Sequence, residues 1–566
     1  LLKKIPVHKS KSYCYGSVMS WDYKYLVIQV ADKIVALDTK TDKVLYERYD
    51  HDYENGIMSI SHDNNILATG GFDSKVNLYN LSTGKLISSI YTPREKDFML
   101  VNADGYYLAP KNTLEAVSFT YNNSTFGFEQ FDVRYNRPDI VLKDLGKADT
   151  GLINLFNQAW RKRLKKLNLM ETEIGSEVHL PVVRMKDKFA VKPGTSLREF
   201  TLTIECYDAK YPLQSLQVLV NNNSIFGSAG KLIPGNVSKT EIEVKIPLSP
   251  GNNRLKIFCT NTKGAMSLAE NMIINSTHKL AEKMKTYFIG IAVSDYKDST
   301  MNLRFAAKDV RDLATSFSSL FTNIEVDTLI DSRATKENIA ELRKKLLGTT
   351  INDRVIISVN GHGLLSDSLD FYFATHDVDF NKPQLRGLKY EELEALLDGI
   401  PARKKLLLID ACHSGALDKE EILARQKDNQ VMFKDTSSDK GMITGVASRG
   451  IIIEKQQSAL DANSSYEVMQ NLFADISSGN GAVIISAAGG MEYAFESDKW
   501  NNGVFTYCIR KGIEEDLADK EGGNNDKVVS VSELKNYVSR KVSELTGGLQ
   551  KPVSRRENIE FDWIVW

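Results

Sequence analysis

The chain has 566 residues, a formal net charge of -1, and 42% hydrophobic and 26% charged residues. This length exceeds what one hydrophobic core supports, so about three or four domains of ordinary size are expected. The balanced charge gives no whole-chain reason to expect nucleic acid or a membrane surface as a partner. No apolar run reaches the roughly 20 residues of a membrane-spanning helix, so no membrane span is predicted.

Five cysteines are scattered without a CxxC pair, which argues against a zinc site and against a disulfide-rich scaffold. A reducing compartment, and hence a cytoplasmic location, is expected. Cys206 and Cys259 leave two interpretations open, a disulfide between neighbouring strands or two buried thiols. The chain opens on "LLKKIPVHKS" without an initiator methionine, so we expect the natural N-terminus, with any targeting segment, to precede it.

Residues 1–145 carry a repeat. "MSWDYKYLVIQVADKIVALDTKTDKVL" and "ISHDNNILATGGFDSKVNLYNLSTGKLI" share the order turn, strand, turn, strand, turn, and Asp22, Asp63 and Asp104 recur every 41 residues. Such a period predicts β-propeller blades, and "DSKVNLYNLSTGKLI" resembles a WD40 blade. Two blades and part of a third cannot close a ring of the usual four to eight. Either earlier blades are missing, or another domain covers the open edges.

Residues 146–179 are predicted to be a linker helix and a connection. "TGLINLFNQAWRKRLKKLNL" has apolar residues at helical spacing, and Thr150 is its predicted N-cap. Just before it, Pro138 is expected to discourage regular structure.

Residues 180–277 change to a period of two. "REFTLTIECYDA" and "NNRLKIFCT" alternate apolar and polar residues, with Asn, Gly and Pro at the junctions between such runs. Short strands at this spacing predict an immunoglobulin-like β-sandwich, a module for packing or binding.

From residue 284 to 566 strand and helix patterns alternate. The continuous apolar runs "TYFIGIAV", "RVIISVN", "KKLLLID" and "GAVIISAAG" are separated by amphipathic stretches such as "FAAKDVRDLATSFSSLF". Continuous apolar strands with helices between them predict an α/β fold whose mostly parallel sheet is covered on both faces. A long polar insertion, residues 418–478, is predicted to be a flexible loop.

Two strand ends carry reactive side chains. "RVIISVNGHG" ends in His362 between Gly361 and Gly363, and "KKLLLID" is followed by Cys412. Functional groups gather beyond the carboxyl ends of parallel strands, and a thiol beside an imidazole can act as nucleophile and base. Alone, each residue would more often be structural. A metal site is the weaker alternative, because no further ligand cluster accompanies the pair.

These motifs carry a family resemblance. "SVNGHG" and "LLLIDACHSG" resemble the histidine and cysteine motifs of the caspase-like cysteine peptidases of family C14, in particular bacterial caspase homologues and metacaspases. "AVIISAAGG" and "WNNGVFTY" resemble the small-subunit part of that fold. The order of blades, sandwich and peptidase domain is similar to that of bacterial WD-repeat caspase homologues.

The resemblance implies roles for several residues. Cys412 would be the nucleophile, and His362 the general base that later protonates the leaving amine. The backbone N–H groups of Gly363 and Cys412 would form the oxyanion hole. His413 would lie inside the motif without being the catalytic imidazole.

The resemblance also implies a specificity. Asp410 and Asp309 would line the first specificity pocket, so cleavage after Arg or Lys is expected. For Asp309 the alternative is an acid on a helix surface. Glu492 could extend the pocket wall, and Asn360 stands where many family members carry serine, with an amide that can still donate to a substrate. The acidic residues of "LLSDSLDFYFATHDVDFN" form no evident calcium-binding cluster, so no metal is predicted.

Residues 418–478 would then offer basic cleavage sites of their own. The candidate self-cleavage residues are Arg425, Lys427, Lys434, Lys440, Arg449 and Lys455.

The sequence thus predicts a cysteine endopeptidase that cuts after Arg or Lys and needs no cofactor. Its N-terminal β modules would bind an unknown protein partner or restrain the peptidase. The alternative is a catalytically inert caspase-like scaffold that acts through its propeller and sandwich.

Overall fold

The computed structural model describes residues 14–30, 33–49, 57–93, 98–110, 113, 118–121, 123–127, 130–166, 169–174, 179–186, 188, 194–279, 283–366, 370–411, 446–448, 480–488, 494–556 and 562–566. The chain divides into two compact units, Leu1–Ile174 and Gly175–Trp566. Among the described helices, none combines the length and the apolar character that crossing a membrane requires.

The first unit is rich in short strands. They are β1 (Cys14–Met19), β2 (Tyr25–Val30), β3 (Lys33–Asp38), β4 (Val44–Tyr49), β5 (Ile57–Ile60), β6 (Ile66–Gly70), β7 (Lys75–Asn80), β8 (Leu86–Tyr91), β9 (Met99–Asn102), β10 (Tyr107–Leu108), β11 (Ser118–Tyr121) and β12 (Ser124–Gly127). Its described helices are α1 (Asp132–Tyr135), α2 (Pro138–Leu145) and α3 (Thr150–Lys166).

The turns that open the repeats are alike. Ser20 Oγ donates to Asp22 at 2.6 Å, and Ser61 Oγ donates to Asp63 at 2.6 Å. In the third turn Asn102 takes the serine's place, and its side-chain oxygen accepts backbone N–H groups of the turn. The sequence period therefore corresponds to a repeated turn structure.

The first repeat forms a sheet of its own, whereas the second and third repeats share one sheet. Strands β1 to β4 form one antiparallel sheet, whereas β5 to β10 form a second, six-stranded sheet in which β8 pairs with β9. The third repeat therefore extends the sheet of the second, because its first strand pairs with the edge that β8 leaves open. Both sheets share one core, formed by Val27, Ile34, Ala36, Tyr46, Ile60, Leu67, Tyr79 and Leu81. The β-rich character is confirmed, and the propeller stays a prediction.

One prediction for the linker and one for the segment before it were wrong in detail. Pro138 does not prevent regular structure but is the first residue of α2, where its fixed φ suits a helix and its missing N–H costs no hydrogen bond. Thr150 is the first residue of α3 rather than its cap. Asp149 takes that role, since its Oδ1 accepts the N–H of Gly151 at 2.7 Å.

The second unit begins with two facing β-sheets. Their strands are β13 (Val182–Met185), β14 (Gly194–Thr195), β15 (Glu199–Tyr207), β16 (Leu213–Val220), β17 (Asn223–Ser224), β18 (Lys231–Leu232), β19 (Lys239–Pro247), β20 (Gly251–Asn261) and β21 (Glu270–Ser276). One sheet has the order β13-β15-β19 and the other β14-β21-β20-β16-β17, with β18 beside β16. Alternate residues of both enter one core, as the period of two predicts. The immunoglobulin type of this sandwich stays a prediction.

The two sandwich cysteines lie in this core. Cys206 and Cys259 are free thiols and fully buried, so of the two interpretations the structure has the pair of buried thiols. Their mutual hydrogen bond and their burial raise the pKa of Cys206 well above its usual range.

The remaining elements form an α/β domain. Its strands are β22 (Thr286–Ala292), β23 (Ile324–Ile330), β24 (Arg354–Gly361), β25 (Gly363–Leu365), β26 (Phe371–Phe373), β27 (Leu388–Lys389), β28 (Lys404–Ala411), β29 (Val446–Ser448), β30 (Val483–Ser486), β31 (Phe495–Ser497), β32 (Asn502–Gly503) and β33 (Val553–Arg556). Its described helices are α4 (Ala306–Leu320), α5 (Lys336–Leu346), α6 (Tyr390–Ala395), α7 (Val504–Glu514), α8 (Leu517–Gly522) and α9 (Val531–Leu545).

The central sheet has the order β23-β22-β24-β28-β30-β33, and all its pairings are parallel except that of β33. Every residue of β24 is buried, so both faces of the sheet are covered and the strand reads as a continuous apolar run. Side chains of α4, α7 and α9 pack in one core with alternate residues of the strands. The predicted mostly parallel sheet is confirmed.

Candidate active site

The two predicted strand ends lie side by side. In the parallel pair of β24 and β28, Asn360 is opposite Asp410 and Gly361 is opposite Ala411. The residues that follow this last pair in the sequence are His362 and Cys412. Cys412 itself lies outside the described residues, as do Glu492 and the six candidate self-cleavage residues.

His362 is held on several sides. Its side chain is 4% exposed, and its backbone N–H donates to Tyr296 Oη at 2.9 Å. The Tyr296 ring lies 5.2 Å from the imidazole and the Phe380 ring 6.2 Å, the latter edge-on. A Cβ at Gly361 would come within 2.9 Å of Tyr296 Oη and of the Phe373 ring. Glycine at 361 therefore allows the close packing that orients the imidazole.

The hydrogen bond of the His362 side chain assigns its tautomer. Nε2 lies 2.8 Å from the backbone carbonyl oxygen of Met301. A carbonyl only accepts, so Nε2 carries the hydrogen and Nδ1 is the unprotonated nitrogen of the neutral ring. Met301 ends a short 3-10 helix whose first turn is capped by Asp298, and Asn302 Oδ1 accepts the N–H of Tyr296 at 2.8 Å. The loop after β22 thus fixes which nitrogen can act as a base.

Asp410 belongs to a buried chain of polar side chains. Ser358 Oγ donates to Asn360 Oδ1 at 2.7 Å, Asn360 Nδ2 donates to Thr506 Oγ1 at 3.2 Å, and Thr506 Oγ1 donates to Asp410 Oδ2 at 3.1 Å. All four side chains are at most 1% exposed. Asn360 is thus bonded within the protein, and the single hydroxyl hydrogen of Thr506 is directed to the carboxylate of Asp410.

Asp309 is on the first turn of α4 and is fully buried, so it is not the exposed helix acid of the alternative interpretation. Its Oδ1 accepts the side-chain amide of Asn502 at 2.8 Å, and both its oxygens lie 3.2 Å from the N–H of Gly503. Gly503 is the N-cap of α7. Asp309 therefore joins α4 to the start of the helix that also carries Thr506.

Gly363, the other predicted oxyanion donor, begins β25 and pairs with Phe373 across a short antiparallel sheet. His362 O accepts the N–H of Ala374 at 2.9 Å, so the backbone on both sides of the histidine is anchored.

The acidic residues just before and after β26 have partners of their own. Asp370 pairs with Lys389 at 3.4 Å, Asp377 pairs with Arg386, and Asp379 accepts backbone N–H groups. In the described part of the chain, no three His, Cys, Asp or Glu side chains are grouped so as to hold a metal ion. Asp367 lies outside that part.

Sequence reasoning missed Tyr296, Met301, Asn502 and Thr506. The last two lie in "WNNGVFTY", a segment the sequence already marked by resemblance, so a polar residue there was a usable signal. Met301 acts through its backbone carbonyl, and no side-chain pattern could reveal it.

Comparisons with known proteins match only parts of the chain. No curated protein matches it. Two solved structures, described as "Structure of U3-55K" and "Crystal structure of RRP9 WD40 repeats", are each 12% identical and cover 18% of this chain, with TM-scores of 0.14 and 0.15. This chain spans 40% and 39% of their lengths, and likenesses at these TM-scores carry no structural conclusion.

The α/β domain has a clear match. Residues 286–562 fit the family model described as the caspase domain of peptidase family C14. The match covers β22 to β33, the sheet whose neighbouring strand ends carry His362 and Asp410. The C-terminal part of the chain is therefore a caspase-like domain, similar over residues 286–562 to a family of cysteine peptidases.

Proposed function

We propose that the chain is a cysteine endopeptidase in which Cys412 is the nucleophile and His362 the general base. The observation that carries this proposal is the 2.8 Å contact between His362 Nε2 and the Met301 carbonyl, which leaves Nδ1 basic. The proposal also draws on the caspase-domain match and on the parallel register, which brings the residues before His362 and Cys412 opposite each other.

The proposed reaction is acyl transfer through a thioester. The Cys412 sulfur attacks the peptide carbonyl carbon while its proton passes to His362 Nδ1. The resulting imidazolium keeps its Nε2–H bond to the Met301 carbonyl, which stabilises the positive charge. It then donates the Nδ1 proton to the leaving amine, and the C–N bond breaks. Water, deprotonated by the same nitrogen, hydrolyses the thioester and releases the thiol.

The developing oxyanion would be bound by the backbone N–H groups of Gly363 and Cys412. Gly363 is anchored by the pairing of β25 with β26, so its N–H direction is fixed before charge appears. Donors that need no reorganisation are the ones that lower such a barrier.

We also propose specificity for Arg or Lys before the scissile bond. Asp410 and Asp309 both contact the first turn of α7, Asp410 through Thr506 and Asp309 through Gly503. Two buried carboxylates gathered around one helix start favour a guanidinium or ammonium over an acidic side chain. Asn360 supports Asp410 through Thr506, and Glu492 would extend the same wall.

Two further parts of the proposal follow from the sequence. The basic residues 425 to 455 named above would be self-cleavage sites between large and small parts of the domain. The N-terminal β-rich unit and the sandwich would bind a protein partner or restrain the peptidase.

The test is hydrolysis of fluorogenic peptides that end in Arg, Lys or Asp. We expect turnover of the Arg and Lys peptides, and Cys412→Ala and His362→Ala to lower it about a thousandfold or more. Cys206→Ala, which removes a thiol from the sandwich core, is the matched control and should keep the activity. A denaturing gel run on the same samples reads self-cleavage. Turnover that survives Cys412→Ala, or no turnover of any peptide after attempted activation, would favour the inert scaffold.

A further inference from the structure

A cavity of about 490 Å³ lies between the sandwich and the caspase domain, both within the second unit. Arg198, His278 and Lys279 line it from the sandwich and its exit, and Lys285 and Asp353 line it from the caspase domain. The caspase-domain residues directly precede β22 and β24, at the amino ends of the parallel strands. The cavity is thus at the end of the sheet opposite the candidate active site.

The lining has an excess of positive charge. Within the described residues, the cavity-lining side chains of Arg198, Lys279 and Lys283 form no ion pair with a carboxylate. Lys285 does pair, with Glu325 at 2.5 Å. The carboxylate of Asp353 is engaged by its own chain, accepting the N–H groups of Lys285 at 3.0 Å and of residue 350 at 2.7 Å. Among the described residues that line the cavity, three cations therefore have no ion-pair partner, and Asp353 is the one acid beside them.

His278 adds a nitrogen to this lining. Ser276 Oγ donates its hydrogen to the carbonyl of Leu197 at 2.8 Å, so it must accept from His278 Nδ1, 2.7 Å away. Nδ1–H is therefore bonded within the chain, and Nε2 of the neutral ring carries no hydrogen, so the anion donors of this lining are its Arg and Lys side chains.

Two further cations contact a residue of the lining or a residue next to it. Arg403 contacts the carbonyl of Pro247, next to the lining residue Leu248, and Lys404 Nζ lies 3.3 Å from Sδ of Met284, another lining residue. Burial lowers the pKa of Arg403 to about 10, and burial together with nearby Arg354 lowers the pKa of Lys404. Such shifts are expected where positive charges are buried without an anion to balance them.

We propose that this cavity binds a compact polyanion, a small molecule that carries two or more phosphate groups. Phosphate oxygens suit the mixture of guanidinium and ammonium donors, and a ligand with several negative charges matches the excess of cations over acids in the lining. The volume is within the range of small-molecule sites, and a ligand there would contact both modules at once. This inference does not rest on the proposed peptidase activity.

A ligand that contacts both modules would stabilise the folded second unit by mass action. Because the attraction is between charges at a partly open site, the affinity should fall as ionic strength rises.

The experiment is isothermal titration calorimetry of the full chain with inorganic tripolyphosphate, which measures the binding affinity and is repeated at higher salt. In the variant R198Q/K279Q/K283Q we expect the affinity to fall about tenfold or more. The matched control R184Q/K231Q/K382Q removes the same kinds of charge from exposed positions of the same unit and should bind within about twofold of the natural chain. Circular dichroism of the ligand-free proteins confirms that both variants are folded.

Retained binding in the control together with weakened binding in the cavity variant supports the proposal. Equal weakening in both would show a diffuse charge effect and overturn it. Absence of tripolyphosphate binding by the natural chain at millimolar concentration would overturn it as well, and either result would leave the thiol-dependent peptidase test unaffected.

Discussion

At the scale of single residues, Thr506 connects Asn360, two residues before His362, with Asp410 of the proposed specificity pocket. Its hydroxyl accepts from Asn360 and donates to Asp410, and all three side chains are buried. Thr506→Val keeps the shape but leaves a buried carboxylate oxygen and an amide without that partner. We expect a loss of about 1–3 kcal/mol in the free energy of unfolding, measured by urea denaturation.

Thr506→Ser is the control, because it keeps the hydroxyl and should recover most of that loss. A peptidase readout separates structure from specificity: Thr506→Val should raise KM for Arg peptides more than it lowers kcat if Thr506 positions Asp410. Equal stability of the Val and Ser variants would contradict the hydrogen-bonded chain.

Gly361 gives a second prediction at this scale. A Cβ there would meet Tyr296 Oη and the Phe373 ring at 2.9 Å, closer than ordinary contacts allow. We expect Gly361→Ala to destabilise the protein by about 1–3 kcal/mol in chemical unfolding, since neither ring can move without disturbing the packing around His362. Gly194→Ala is the matched control, because its Cβ would meet nothing within 4 Å. Equal effects of the two variants would show that crowding at 361 is relieved at no cost.

The sequence predicted some of these residues and not others for a physical reason. His362 directly follows β24 and Asp410 is near the end of β28; both strands have local apolar patterns, so a short window of sequence places these residues. Met301 and Tyr296 reach the histidine from 61 and 66 residues away, and Thr506 reaches Asp410 across 96 residues. Such partners depend on how a loop and a helix pack, and no single-sequence pattern encodes that.

At the scale of elements, the strands and most helices were predictable because their periodicity is local. Helix starts were less so. Pro138 could have interrupted regular structure or begun a helix, and either Asp149 or Thr150 could have capped α3. The packing of α2 and α3 decides between these local structures. The structure makes Asp149 the cap of α3, so Asp149→Ala should cost about 1 kcal/mol in thermal or urea unfolding. Thr150→Ala should cost less, and the reverse order would restore the sequence-based assignment.

Tyr46 provides a prediction for the two sheets of the first unit. It projects from β4, its Oη donates to the carbonyl of Leu81 beyond β7 at 2.8 Å, and Gly84 lies against its ring with φ of +64°. Burial raises the pKa of Tyr46 from 10.0 to about 12. The pKa of Tyr46 is higher in the folded than in the unfolded state. The stability that the protonated Tyr46 contributes is therefore complete below pH 10 and is lost as the pH rises toward 12.

Tyr46→Phe should therefore lower the stability of this unit by about 1–2 kcal/mol near neutral pH and flatten its decline between pH 10 and 12. Tyr49→Phe, at a side chain that is 72% exposed, is the control. Unfolding followed by circular dichroism across that pH range measures both, and an unchanged alkaline slope in Tyr46→Phe would assign the decline to other groups.

At the scale of the whole molecule, the sequence predicted the succession of β-rich, sandwich and α/β regions because each has its own periodicity. It gave no sign that the sandwich and the caspase-like domain form one compact unit. Their junction depends on single polar contacts between distant segments. Ser228, for example, donates through its N–H and its hydroxyl to the carboxylate of Asp398 at 2.8 and 3.0 Å.

Arg403 makes another contact between the two modules, and its side chain is buried. It precedes β28, is 3% exposed, and donates to the carbonyl of Pro247 at 2.6 Å and to Ser249 Oγ at 3.1 Å in the sandwich. Arg403→Ala removes these bonds and leaves a cavity, so we expect a loss of about 2–4 kcal/mol in the free energy of unfolding. Arg184→Ala, at an exposed position of β13, should change it by less than about 0.5 kcal/mol.

Hydrogen exchange read by mass spectrometry distinguishes a local from a shared effect. If Arg403 couples the two modules, Arg403→Ala should speed exchange both in β19 and β20 of the sandwich and in β24 and β28 of the caspase domain. Faster exchange in one module alone would mean that the other is stable without the junction. The compact unit would then consist of two independently stable modules in contact. A ligand at their junction would in that case create the coupling between the stabilities of the two modules.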